Sequence, residues 1–157
     1  MTKLLSQNGW PASKDPAEIG IKSYPIKGTN IKIRCAAAVA PLLTAFVAEF
    51  HKLIEPINEG SLDDFGYNFR LVRGSEIILS NHGSGTAVDL NSKDHPLGKS
   101  GTFPAEKVPI IRELCTKYSI LWGGDFRHRK DEMHFEILGG ASKVEALIGS
   151  MKQGETK

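Results

Sequence analysis

Met133-His134-Phe135-Glu136-Ile137-Leu138 alternates apolar and polar side chains, and this period of two reads as a strand with Met133, Phe135 and Ile137 on its core face. His134 and Glu136 then share the opposite face. Upstream, Trp122-Gly123-Gly124-Asp125 reads as a turn. Before it, Val108, Ile111, Leu114, Cys115 and Tyr118 recur at helical spacing, which predicts a helix from about Ala105 to Tyr118. The polar, Gly- and Pro-containing stretch from Asn91 to Thr102 is a loop, and its Asp94 is read as solvated rather than as a calcium ligand. Strands are expected at Asn68–Val72, Ile77–Leu79 and Thr86–Leu90. Leu43, Phe46, Val47, Phe50, Leu53, Ile54 and Ile57 predict a first helix over about 37–57, with Pro41 in its first turn and Glu55-Pro56 and Asn58-Glu59-Gly60 at its end. Ile31-Lys32-Ile33-Arg34 is a short strand, and residues 1–30 read as an irregular leading segment. At the other end Ser142 caps a last helix that turns Val144, Leu147, Ile148 and Met151 inward. Helix, strands, helix, strand, helix is an α+β order with a mainly antiparallel sheet.

The length of 157 residues suits a single domain spanning 1–157, large enough to bury a core without disulfides. With 40% hydrophobic and 24% charged residues the chain is globular rather than disordered. Its net charge of +2 comes from dispersed Lys and Arg, which argues against a nucleic-acid partner. No apolar run is long enough to span a bilayer, and Met1 to Trp10 contain no secretory apolar region. A cytoplasmic product is therefore expected, as a monomer with no membrane partner. Cys35 and Cys115 are far apart and read as free, half-buried thiols.

The histidines carry the chemistry. In Ser80-Asn81-His82-Gly83-Ser84-Gly85-Thr86-Ala87-Val88-Asp89, the glycines permit a tight turn before a strand, and Asp89 points toward the side over which that turn brings His82. His82 and Asp89 with His134 make three N/O donors. Catalytic zinc sites use three protein ligands and leave a fourth position for water. Asp131, three residues before His134, lies at the lip of the same strand and can reach such a water without ligating the metal. Glu136 is either a partner behind His134 or a solvated strand residue. His51 reads as surface and His95 as a loop residue, while His128, among Arg127, Arg129 and Lys130, is left open.

Ser80-x-His82-x-x-Gly85-x-Ala87-x-Asp89 resembles the S-x-H-x-x-G-x-A-x-D signature of the VanY-like D-alanyl-D-alanine carboxypeptidase family of zinc peptidases. Asp131-x-x-His134 is similar to that family's second motif. Trp122-Gly123-Gly124-Asp125-Phe126 with Met133-His134-Phe135-Glu136 looks like the WGGDW…MHFE block of its phage-type members. The resemblance runs from about Phe69 to Leu138. It implies a small open antiparallel sheet lining a zinc cleft, packed with about three helices. It also implies one zinc ion on His82, Asp89 and His134, and Asp131 as general base. Several members carry Glu at the base position; Asp leans toward the phage-type endopeptidases.

The family places an Arg upstream of the first motif to stabilise the oxyanion. Arg70 and Arg73 both qualify, and as strand residues three apart they would face opposite sides, with Arg70 favoured for the cleft. Ser80 is expected to fix the approach to His82, Asp125 to orient a ligand or pair with an Arg, and Trp122 to lie in the core. The implied partner is bacterial peptidoglycan. The expected activity is an L-alanyl-D-glutamate endopeptidase of the endolysin type, made in the host cytoplasm and acting on the wall after release. The absence of a separate wall-binding domain points to a Gram-negative target. The alternatives are a D-Ala-D-Ala carboxypeptidase and, in a different class, a zinc-fold binding module without turnover.

Overall fold

The computed structural model describes residues 4–57 and 63–155. The first helix, expected over about 37–57, ends earlier, at Leu53 before Glu55-Pro56, and the expected stop at Asn58-Glu59-Gly60 lies outside the described residues. The chain opens with a small ladder of β1 (Leu4–Leu5) and β2 (Pro11–Ala12), then a hairpin of β3 (Ile21–Pro25) and β4 (Lys32–Ala36). The helices are α1 (Ala40–Leu53), α2 (Val108–Tyr118) and α3 (Ala141–Glu155). A three-stranded antiparallel sheet has β7 (His134–Ile137) at its centre, flanked by β5 (Ala87–Asp89) and β6 (Ile120–Trp122). Among the described residues this is an α+β fold of three α-helices and small antiparallel sheets. None of the described helices is long and apolar enough to cross a membrane.

The core lies between α1 and the central sheet. Leu42, Leu43, Phe46, Val47 and Phe50 form the buried stripe of α1, in agreement with the 3.6-residue period. Phe46 and Phe50 set their rings 5.1 and 5.4 Å from Phe135 on β7. From α2, Ile111, Leu114, Cys115 and Tyr118 close the same core. Both cysteines are free and buried, and burial pushes each thiol up to about 12, which leaves them inert packing groups.

Three expectations are corrected and one strand is added. The leading segment is not irregular: it supplies β1, β2 and β3, and Trp10 is buried with its indole N–H donating to Gly139 O. Asn68–Val72 and Ile77–Leu79 are not strands; a single Leu71–Leu79 bridge joins them, and Leu71, Ile77 and Ile78 are exposed, so no core face rewards longer pairing. Ile120–Trp122 is a strand, too short for periodicity to reveal. Ser142 lies inside the first turn of α3 rather than capping it, because Val144 N–H already donates to Gly140 O.

Candidate active site

Register on the central sheet decides the site. Asp89 of β5 pairs opposite His134 of β7, so the two side chains emerge side by side on one face. His82 reaches them from a single 3₁₀ turn, Asn81–Ser84, that immediately precedes β5. Ser80 opens this turn: its hydroxyl accepts from His82 N–H, the role expected of it. The potential ligand atoms of His82, Asp89 and His134 all lie within 4.8 Å of one another.

Hydrogen bonds behind the rings settle which nitrogens face inward. His82 Nδ1 lies 2.8 Å from Gly66 O, which can only accept, so Nδ1 carries a proton, and in the neutral ring Nε2 presents a lone pair. That Nε2 is buried and makes no hydrogen bond, although Asp89 Oδ1 is 3.2 Å away. Both atoms are acceptors, and a cation reconciles them. His134 Nε2 lies 2.8 Å from Glu136 Oε1, which turns its Nδ1 toward Asp89 Oδ1 at 3.2 Å. Two imidazoles and a carboxylate, each imidazole held from behind by an oxygen, fit a divalent metal of the zinc class. In the metal-free protein, burial opposes charging of His134, but Asp89 and Glu136 outweigh it and push its pKa up to about 10. Burial likewise opposes ionisation of Asp89, and the two histidines outweigh it, holding the carboxyl well below its usual range.

Asp131 stands at the lip of this cluster. Its Oδ1 is buried and has no partner. Burial, with Asp89 nearby, raises its pKa against the pull of His134, His82 and Arg70. The backbone is pinned: Asp131 N–H donates to Gly123 O at 3.0 Å, and His134 N–H to Asp131 O at 3.0 Å. A Cβ on Gly123 would sit 2.1 Å from Asp131 O, so the Trp-Gly-Gly turn admits no side chain there. Trp122 is buried as expected and clamps the same loop, donating its indole N–H to Glu132 O at 2.8 Å.

The cleft over these groups encloses about 170 Å³ and is bordered by Arg70, Arg73, Phe126 and Arg129 as well as His82, Asp89 and His134. Both Arg70 and Arg73 border it, which corrects the expectation that only one would. Their segment is not a strand, so the alternation that would have separated them does not apply. Asp125 takes the second of its two expected roles: it faces outward and pairs with Arg112, Oδ1 to Nη2 2.9 Å. Glu136 is not a solvated residue, since its Oε2 accepts from Asn81 Nδ2 at 2.8 Å while Oε1 holds His134. His51 is half-buried and accepts from Ile57 N–H. His95 is a buried strut, stacked on Phe103 at 3.7 Å and bonded to Thr102 and Glu55. His128 is exposed and does not border the cleft.

Two contributors escaped the sequence reading. Gly66 holds His82 through a carbonyl, which no side-chain pattern can announce. Asn81, between Ser80 and His82, fixes Glu136 and is itself held by Asn8 N–H at 2.8 Å. The polar type at position 81 was the available signal.

Residues 73–137 match the family model described as D-alanyl-D-alanine carboxypeptidase. No curated protein and no solved structure shows significant similarity to the chain. That matched stretch, which carries His82, Asp89, Asp131 and His134, is what makes the chain similar to the D-alanyl-D-alanine carboxypeptidase family of peptidases.

Proposed function

We propose that the protein is a zinc peptidase acting on peptidoglycan stem peptides, with the L-alanyl-D-glutamate bond as its substrate and a lysin of the phage type as its role. The observation that carries the catalytic reading is Asp131 Oδ1, buried and unpartnered at the edge of the His82, Asp89 and His134 cluster. A purely structural metal site has no use for such a group.

His82, Asp89 and His134 would hold the ion, with Gly66 O and Glu136 fixing the two rings. When bound, zinc supplies Lewis-acid chemistry that makes water nucleophilic near neutral pH and polarises a carbonyl. Asp131 takes the proton of the attacking water and returns it to the leaving amine, a task suited to a carboxylate whose pKa burial has raised. Arg70, half-buried on the same cleft, places a cation where the oxyanion develops. The active-site cleft gives way to a second recess that also borders His82 and Asp89. Space on two sides of the donors favours a substrate that continues past the scissile bond, as in an endopeptidase.

Digestion of purified Gram-negative peptidoglycan, with products identified by mass spectrometry, tests this. Stem peptides beginning at D-glutamate, with L-alanine left on the muramic acid, are expected. Loss of a terminal D-alanine alone would make the protein a carboxypeptidase instead.

A further inference from the structure

The second recess, of about 490 Å³, lies on the β4 side of the metal donors and is lined by four cations: Lys32, Arg34, Arg70 and Arg73. Lys32 and Arg34 are two apart on β4 and both exposed, while Ile33 and Cys35 between and beyond them are buried. Strand alternation therefore aims both cations out of the core on one side. No carboxylate among the described residues lies within ion-pair distance of any of the four. The recess has two acidic residues, Asp64 and Asp89, against its four cations. Asp89 faces the histidines, and Asp64 accepts Asn91 N–H through Oδ1 while its Oδ2 is buried.

Arg34 is held in place rather than merely exposed. Its guanidinium sits over the Tyr67 ring at 5.2 Å, and the Tyr67 hydroxyl donates to Ser13 O at 2.5 Å. Its carbonyl accepts Tyr67 N–H at 2.7 Å, and Asn68 N–H donates to His82 O at 3.0 Å. The same short segment thus locks the cationic strand edge to the turn that carries a metal donor. Four cations lacking carboxylate partners, one of them braced on a ring, converge on a recess bordering the reactive centre. Such an arrangement recognises an anion, and the cationic side chains favour a carboxylate that can be gripped from two sides.

We propose that Lys32 and Arg34, with Arg73, form a carboxylate-binding subsite that grips the free α-carboxylate of the D-glutamyl residue on the amine side of the scissile bond. This rests on the hydrolytic reading above. In an L-alanyl-D-glutamyl stem peptide the chain continues through the γ-carboxyl, so the α-carboxylate is left free beside the bond to be cut. The subsite would therefore separate peptides with a free α-carboxylate from those in which it is amidated.

The test uses the zinc-loaded full chain carrying Asp131→Asn, so that peptides bind without turnover. Calorimetry compares an L-alanyl-γ-D-glutamyl peptide with the same peptide amidated at the α-carboxyl. The acidic peptide should bind on the order of tenfold to a hundredfold more tightly, as charge-assisted contacts to two or three cations imply. Adding Lys32→Gln and Arg34→Gln should cut that ratio severalfold, with Arg73 left in place, and Arg34→Lys should keep most of it. An unchanged ratio in the double variant, or equal affinity for the two peptides at the outset, overturns the proposal. Melting curves show whether the variants fold, and the comparison of the two peptides on the Asp131→Asn chain keeps the test decisive if the double variant does not. Turnover of the same peptides by the unmodified protein is scored separately. Discrimination in binding without cleavage would leave the subsite standing and remove the hydrolytic reading.

Discussion

Glu136 Oε1 lies 2.8 Å from His134 Nε2 and fixes which nitrogen of that ring faces Asp89. A carboxylate behind a metal-binding imidazole sets its tautomer and raises its basicity, and its loss commonly weakens metal binding by about tenfold to a hundredfold. Glu136→Gln is expected to lower zinc affinity within that range, measured by competition with a chromophoric chelator. Unaltered affinity would mean that His134 is oriented by packing alone.

Zinc binding should depend on pH. In the metal-free protein His134 is raised to about 10 and Asp89 is held below its usual range, so near neutrality the cluster holds an imidazolium beside a carboxylate. A metal must displace the His134 proton. Apparent affinity should then rise roughly tenfold per pH unit between pH 6.5 and 8.5, with about one proton released per ion bound. Calorimetry in buffers of different ionisation enthalpy counts that proton; release of none would contradict the assigned charge state. For metal-free stability the sign is the reverse. The raised His134 pKa contributes fully below about 6.5, its unfolded value, and the contribution is lost as pH climbs toward 10. The depressed Asp89 pKa contributes fully above the ordinary carboxylate range, and the contribution is lost as pH falls below that range toward the folded value.

Gly66→Ala should damage the fold and the metal site together. The added Cβ would meet Arg34 O at 2.1 Å, and the same residue's carbonyl holds His82 Nδ1. Overpacking of this kind costs roughly 1–3 kcal/mol. Denaturant melts of the metal-free protein should show that loss, and chelator competition a weaker site. Wild-type behaviour in both would remove Gly66 from the site's support.

The fold was readable where pattern and burial coincide. The α1 stripe from Leu43 to Phe50 and the β7 alternation around Phe135 follow from helix and strand periods, because one face of each packs on the same core. Sequence patterns failed where backbone rather than side chains carries the structure. Residues 68–79 look β-prone yet have no core to face, and β6 is shorter than the window that periodicity needs. In the candidate site, the sequence reading grouped His82, Asp89, Asp131 and His134, and the fold brings these four side chains to one cleft. Gly66 acts through a carbonyl, and Arg73 reaches the cleft through an irregular segment, so neither arrangement has a spacing signature.

Asp125→Ala offers a contrasting case. Asp125 pairs with Arg112 on the exposed side of the Trp122 loop, away from the metal donors. An exposed pair of this kind contributes roughly 0–1 kcal/mol. The variant should keep full peptidase activity and show a small loss in melting temperature. A severe drop in turnover with metal still bound would give Asp125 a role in the cleft after all.

The most direct measurement is turnover of the zinc-loaded Asp131→Asn variant on peptidoglycan fragments, with metal content determined on the same sample. Stoichiometric zinc with turnover reduced on the order of 10²–10⁴-fold is the expected result, since the carboxamide leaves the donors intact but cannot accept the proton. Near-normal turnover with zinc bound would contradict the assignment of Asp131 as the base and, with it, the proposed mechanism.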